Sequence, residues 1–406
     1  MKVDSPRRPG SPHGSRSPVL LASALVIASL ATAAAQEKPG AAAERVTLNG
    51  TRVHTITSKA LPSSEFRISV SLPWSYQSSQ KRYPVVYVTD ADTGFALAYA
   101  AYQAIQLDGE IPELILVGIG YGVDFTNNGF STWSMRRSAE LTPTAVKGRP
   151  GTGDAPRFVR FLQDELLPFI DANYRTQPDD RTIVGGSFGG LFAAYTMLRH
   201  PGLFQQFIVR SPSLWWDDRM MFGLESEYAA AHKDLPVTVY TSLGTLETEL
   251  MRSSWRDFVR VLGERHYPGL RLIVANMEDA RHATAIGMSL YPALKAVFGG
   301  TPVDSAALDR YAGRYVFPTG DTLVVSRSDT SLVAAWNGEP DLKLAARTPT
   351  RFSFTTGQGE LASGDAKLLP LVGLERLDFT LSAAGSADSV VLSRDGRSFI
   401  GTRAHP

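Results

Sequence analysis

The chain has 406 residues, 43% of them hydrophobic, with 41 basic against 40 acidic side chains and a net charge of +1. That balance gives an ordinary globular composition and no reason to expect nucleic acid or an anionic membrane as a partner. No cysteine is present, which excludes disulfides, thiolate metal sites and cysteine nucleophiles.

In chain order, the first 35 residues read as a signal peptide. Lys2, Arg7, Arg8 and Arg16 make a basic start, Pro18 to Thr32 is almost wholly apolar, and Ala33-Ala34-Ala35 supplies the small residues of a cleavage site. The apolar stretch is short for a membrane span, with an uncleaved anchor as the alternative reading. Pro9-Gly10 after the arginine pair argues against a twin-arginine signal. The expected mature chain starts near Gln36, is exported to the periplasm or secreted, and has no stable membrane insertion. Residues 36–44 are expected to be a flexible leader.

From Arg45 to Leu72, "RVHTITS" and "EFRISVSLP" alternate with period two and predict an antiparallel pair. Beyond Tyr83 the apolar runs are short and continuous, as in strands buried on both faces: 83–90, 113–120, 181–186, 205–211, 236–242 and 270–276. Helical patterns fall between several of them. Asp154 is placed to cap the first, in which Phe158, Phe161, Leu162, Leu166 and Phe169 share a face and Pro168 should introduce a kink. Residues 191–200, 250–266 and 283–298 are further helices. Alternating strands and helices predict an α/β domain over 45–299 with a mostly parallel sheet. Residues 300–406 carry short strand-like runs separated by turns and predict a small all-β barrel or sandwich.

Gly185-Gly186-Ser187-Phe188-Gly189 has the pattern G-x-S-x-G between an apolar strand and a helix. Such a serine sits on a strained turn with its hydroxyl above the sheet's carboxyl edge, and the glycines keep side chains from colliding at the bend. Phe188 N–H is the expected oxyanion donor. The phosphate-cradling alternative lacks its own fingerprint. A serine needs a base and the base an orienting acid, in the chain order Ser, Asp/Glu, His. His282 follows the strand 270–276 through a short polar loop; His266 precedes the same strand, at the wrong end. Glu247 follows the strand 236–242, with Glu249 second and Asp279 third as orienting acid.

These residues resemble the putative-esterase (esterase D-like) family of α/β-hydrolases over about 45–299. The likeness is carried by "YPVVYVTDAD", "RRSAELTPT", "FLQDELLPFIDANYR", "VGGSFGGLFAAY", "FIVRSPSLWW", "LGTLE" and "DARHAT". "SPSLWW" and the "GTLE" acid are most similar to the siderophore-esterase branch. The resemblance implies the α/β-hydrolase fold, Ser187 as nucleophile, His282 as base, Glu247 as acid, and Ala91 N–H in the Asp90-Ala91-Asp92 loop as second oxyanion donor. "LDRYAGRYVFPTGDTLVV" resembles the opening of lipocalin-like β-barrels appended to secreted serine hydrolases. Tyr121, Trp133, Trp215 and Trp216 are expected in loops around the serine as aromatic walls, although large aromatics also favour the core. Arg136, Arg137, Arg210, Arg252 and Arg281 are candidates to face an anionic substrate. No cofactor and no resident metal are expected. The predicted activity is a serine carboxylic-ester hydrolase acting on a small-molecule ester, such as a siderophore trilactone or an aryl or acyl ester. An acyltransferase on the same site and a non-catalytic binding protein are the alternatives; the sequence sets no oligomeric state.

Overall fold

A computed structural model describes residues 46–62, 64–300, 305–329, 331–338, 341–355 and 373–404, all but Val46 within the unit Thr47–Pro406. The predicted signal peptide and leader lie outside the described residues. Among the described residues no helix is long and apolar enough to cross a membrane.

The two period-two stretches form the antiparallel pair β1 (Thr51–Thr57) and β2 (Glu65–Ser71). The continuous apolar runs form β3 (Tyr83–Val88), β4 (Ile115–Gly120), β5 (Thr176–Gly186), β6 (Gln206–Arg210), β7 (Thr238–Gly244) and β8 (Arg271–Met277). They make one sheet in the order β1-β2-β4-β3-β5-β6-β7-β8, parallel from β4 to β8. Every residue of β3 and β4 is buried because both faces are covered. Val85 and Tyr87 pack into one apolar layer, with Phe158, Phe192 and Phe207. Val86 and Val88 pack into the other, with Phe95, Ile105 and Leu294.

The helices are α1 (Ala91–Leu107), α2 (Gly129–Glu140), α3 (Ala155–Phe161), α4 (Leu167–Asn173), α5 (Phe188–Arg199), α6 (Trp216–Ala231), α7 (Glu249–Arg265), α8 (His282–Met288), α9 (Leu290–Phe298) and α10 (Ser305–Leu308). Helices α1, α2 and α6 add to those the sequence predicts, and the predicted helices differ in three details. Asp154 does not cap α3 through its side chain; its backbone carbonyl accepts the Arg157 and Phe158 N–H groups instead. The irregularity expected at Pro168 takes the form of a π turn, Leu162–Leu166, between α3 and α4. Proline has no N–H and crowds the carbonyl four residues back, here Asp164, and the wider turn accommodates both. The helix expected over 283–298 is two, α8 and α9, broken at Ser289 three residues before Pro292 for the same reason.

The C-terminal strands close into an antiparallel barrel. They are β9 (Gly313–Val316), β10 (Thr322–Ser328), β11 (Ser331–Trp336), β12 (Leu342–Ala346), β13 (Arg351–Thr355), β14 (Leu374–Leu381), β15 (Ala387–Arg394) and β16 (Arg397–Arg403). β9 pairs with both β10 and β16, so no edge is left open. The β15–β16 turn is Asp395-Gly396, both at positive φ, as a two-residue hairpin loop requires. Tyr311, Tyr315, Phe352 and Phe379 fill the interior.

The barrel meets the sheet at the amino ends of its parallel strands. Arg347 pairs with Asp180 near the start of β5 at 2.9 Å, with both side chains under 5% exposed, and donates to Val297 O at 2.8 Å. Arg351 and Arg376 each lie 3.2 Å from Asp179. Gln80 N–H, just before β3, donates to Asp395 at 3.0 Å.

Candidate active site

At the opposite, carboxyl edge of the sheet, β5 ends at Gly186 and α5 begins at Phe188, leaving Ser187 alone in the turn at φ 59°, ψ −119°. A non-glycine residue there carries strain on the order of 1–3 kcal/mol. Backbone bonds hold it: Ser187 N–H to Arg210 O (3.0 Å), and Ser213 N–H and Leu191 N–H to Ser187 O (3.1 and 3.0 Å). The neighbouring glycines serve close approach. A Cβ on Gly185 would overlap the Gly189 carbonyl, and one on Gly189 would lie 2.5 Å from Thr89 Oγ1. The turn after β5 therefore packs directly on the turn after β3.

That second turn places Asp90 at φ 55° and starts α1 at Ala91. Ala91 and Phe188 are each the first residue of a helix, where the N–H has no partner within the helix. Asp90 is held by Arg137, whose Nε and Nη2 reach its two carboxylate oxygens at 2.8 and 2.9 Å. Burial pulls the Arg137 guanidinium down, but the Asp90 carboxylate more than offsets this and leaves it above its ordinary range. Its guanidinium also lies 4.6 Å from the Trp133 ring.

His282 opens α8 after β8. Its Nδ1 is 2.7 Å from Glu247 Oε2. The Glu247 side chain is 1% exposed, and its other oxygen accepts from Ser211 Oγ at 2.6 Å and Gly244 N–H at 3.0 Å. Burial alone would raise this carboxyl; the bonds from His282, Ser211 and Gly244 hold it below the usual carboxylate range. With Nδ1 on the carboxylate, the imidazole keeps Nε2 for another partner. Ser187 and His282 line one cavity of about 410 Å³, walled by Leu97, Trp133, Arg137 and Ile286. The Ser187 hydroxyl is 3.4 Å from Ser213 Oγ; among the described residues no hydrogen bond joins it directly to the His282 ring.

The other candidates stand elsewhere. Glu249 is solvent-facing and paired with Arg252 and Arg256. Asp279 is exposed, and His266 is an exposed residue ending α7. Trp216 is fully buried, with Nε1 donating to Thr144 Oγ1 at 3.1 Å; Trp215 packs on Phe188 and places Nε1 3.0 Å from Met251 Sδ. Neither lines the cavity, so the substrate-wall reading of this pair is corrected: both rings pack against Phe188, the residue after the serine. Trp133 does line it, from helix α2 rather than a loop. Tyr121 N–H is tied to Asp92. Arg136 is committed to Glu140 and Arg252 to Glu249, while Arg210 is buried at the cavity and donates to Ile286 O at 2.7 Å. The contacts of Asp90, Ser211 and Ser213 add to those the sequence predicts. Ser211 and Ser213 follow the end of β6, the same kind of position as Ser187, which is the signal that marks them.

An eight-stranded sheet in this order, with a serine on the turn after β5, defines the α/β-hydrolase class. Residues 58–264 match the family model described as "Putative esterase", and the chain belongs to that family, a family of carboxylic-ester hydrolases. It is 29% identical over 238 residues to a ferri-bacillibactin esterase of Bacillus subtilis, covering 56% of this chain and 80% of the relative. It is 29% identical over 226 residues to a siderophore triacetylfusarinine C esterase of Aspergillus fumigatus, covering 54% and 74%. The solved structure of a BES protein from Bacillus cereus superposes with a TM-score of 0.56 at 26% identity, covering 64% of this chain and 98% of that one.

Proposed function

We propose that the chain is a serine esterase working through an acyl-enzyme, with Ser187 as nucleophile, His282 as general base and acid, and Glu247 as the orienting carboxylate. In this reading His282 Nε2 takes the Ser187 proton as Oγ adds to the ester carbonyl. The Ala91 and Phe188 N–H groups stabilise the tetrahedral oxyanion. His282 then returns the proton to the departing alkoxide, leaving Ser187 acylated. Water, deprotonated by the same imidazole, releases the acid and restores the serine. The observation that carries the reading is the 2.7 Å bond from His282, which lines the same cavity as Ser187, through its Nδ1 to the buried Glu247 carboxylate.

The named activities of the relatives, together with apolar walls at Leu97, Trp133 and Ile286, support a small siderophore or aryl ester as substrate. We further propose export behind a cleaved signal peptide, with residues 45–299 as the catalytic domain and 300–406 as an appended β-domain. The test is turnover of p-nitrophenyl acetate and of a ferric trilactone. Ser187→Ala should lose activity by roughly a thousandfold or more while keeping the wild-type circular dichroism. Retained turnover in a folded variant defeats the assignment. Acid as the sole acyl product, with an alcohol acceptor present, separates hydrolysis from acyl transfer.

A further inference from the structure

A second cavity, of about 530 Å³ and larger than the one at Ser187, opens where Ser78, Ser79 and Gln80 meet one end of the barrel. It lies at the amino edge of the sheet, separated from the serine by the length of β3, roughly 20 Å. A volume of this size is within the usual range for small-ligand sites. The barrel interior is packed with its own side chains, so this is no lipid-carrying lumen.

The walls are aromatic. Phe317 and Trp336 meet edge to face at 5.1 Å and are buried; Phe399 stands beside them half-exposed. The two acids on the wall are already satisfied. Asp321 accepts from Thr319 Oγ1 and Asn337 Nδ2, each at 2.6 Å, which holds it below the usual carboxylate range. Asp395 accepts Gln80 N–H at 3.0 Å and lies 3.7 Å from Arg394, whose guanidinium sits 5.9 Å over the Trp336 ring. Arg397 differs: it lines the cavity, is exposed, and among the described residues has no carboxylate within 4.0 Å. An accessible ring at Phe399 beside the buried Phe317 and Trp336, satisfied acids and a guanidinium without a carboxylate partner together select an aromatic ring bearing an anionic group.

We infer that this cavity is a second, non-catalytic ligand site for a small aromatic carboxylate, its ring against Phe317, Trp336 and Phe399 and its carboxylate on Arg397. The inference does not rest on the serine chemistry. The test uses the full chain with 1-naphthoate as probe, followed by calorimetry, and 1-naphthalenemethanol as the neutral counterpart. Saturable one-to-one binding is expected, weakened about tenfold or more by Arg397→Glu and by Phe399→Ala and largely kept by Arg397→Lys. Both positions are solvent-accessible, and unchanged ester turnover would confirm that the variants fold. Absence of saturable binding, wild-type affinity retained by Arg397→Glu or by Phe399→Ala, or equally tight binding of the alcohol would overturn it.

Discussion

Glu247 is buried almost completely, and a buried carboxylate is costly unless its lone pairs are used. Three donors use them: His282 Nδ1, Ser211 Oγ and Gly244 N–H. Glu247→Gln keeps the shape but removes the charge that would stabilise an imidazolium. It should lower kcat on p-nitrophenyl acetate by about 10²–10⁴-fold, whereas Glu249→Gln should leave it unchanged. The folded pKa of Glu247 is depressed below 4.5, so its stability contribution is present above about pH 4.5 and is lost as pH falls through the lower folded value. The stability gap between wild type and Glu247→Gln should therefore shrink below pH 4.5; a gap that widens there contradicts the assigned charge. The placement of Ser187, Glu247 and His282 at the carboxyl edge of the sheet is legible because each closely follows the end of a strand. The fate of Trp215 and Trp216 is not, because an aromatic pair after a strand fits a wall or a core equally well in sequence.

At the scale of elements, the strands stood out because continuous apolar runs leave little alternative. Helix α1 is hidden in the sequence although its buried Ala91, Phe95, Ala98, Tyr102 and Ile105 keep a helical spacing, because Asp90-Ala91-Asp92 equally suits a loop after β3. Helix α2 buries few residues, so its sequence shows little periodicity. It nevertheless carries Trp133 and Arg137 to the cavity, and its last residue, Glu140, is unusual. Burial pushes the Glu140 carboxyl up to about 7, against the opposing pull of Arg136 at 3.1 Å. The unfolded chain releases this proton near pH 4.5 and the folded chain near 7, so the folded state binds more protons in between. Stability contributed by this group is full below pH 4.5 and is lost as pH rises to 7. Thermal melts should show wild type declining across that window relative to Glu140→Gln, by on the order of 3 kcal/mol. Parallel curves would show that Glu140 is ionised throughout.

For the whole molecule, barrel or sandwich was open in the sequence because closure depends on a distant pairing. Thr402 and Arg403 of the last strand register with Val316 and Tyr315 of the first, which periodicity does not encode. Where the barrel docks was equally hidden: it follows from single charged residues, Arg347 on Asp180 and Arg351 and Arg376 on Asp179. Those contacts hold the barrel at the amino edge of the sheet and leave the carboxyl edge, with Ser187, clear of it. The serine of the intact chain should therefore be open to a small electrophile, and this gives the most direct measurement of the central claim. Intact-mass analysis after fluorophosphonate treatment of the full chain should show a single adduct, mapped by peptide sequencing to Ser187 and suppressed in His282→Ala. A folded chain that takes up no adduct, or takes it up on another residue, would contradict the account.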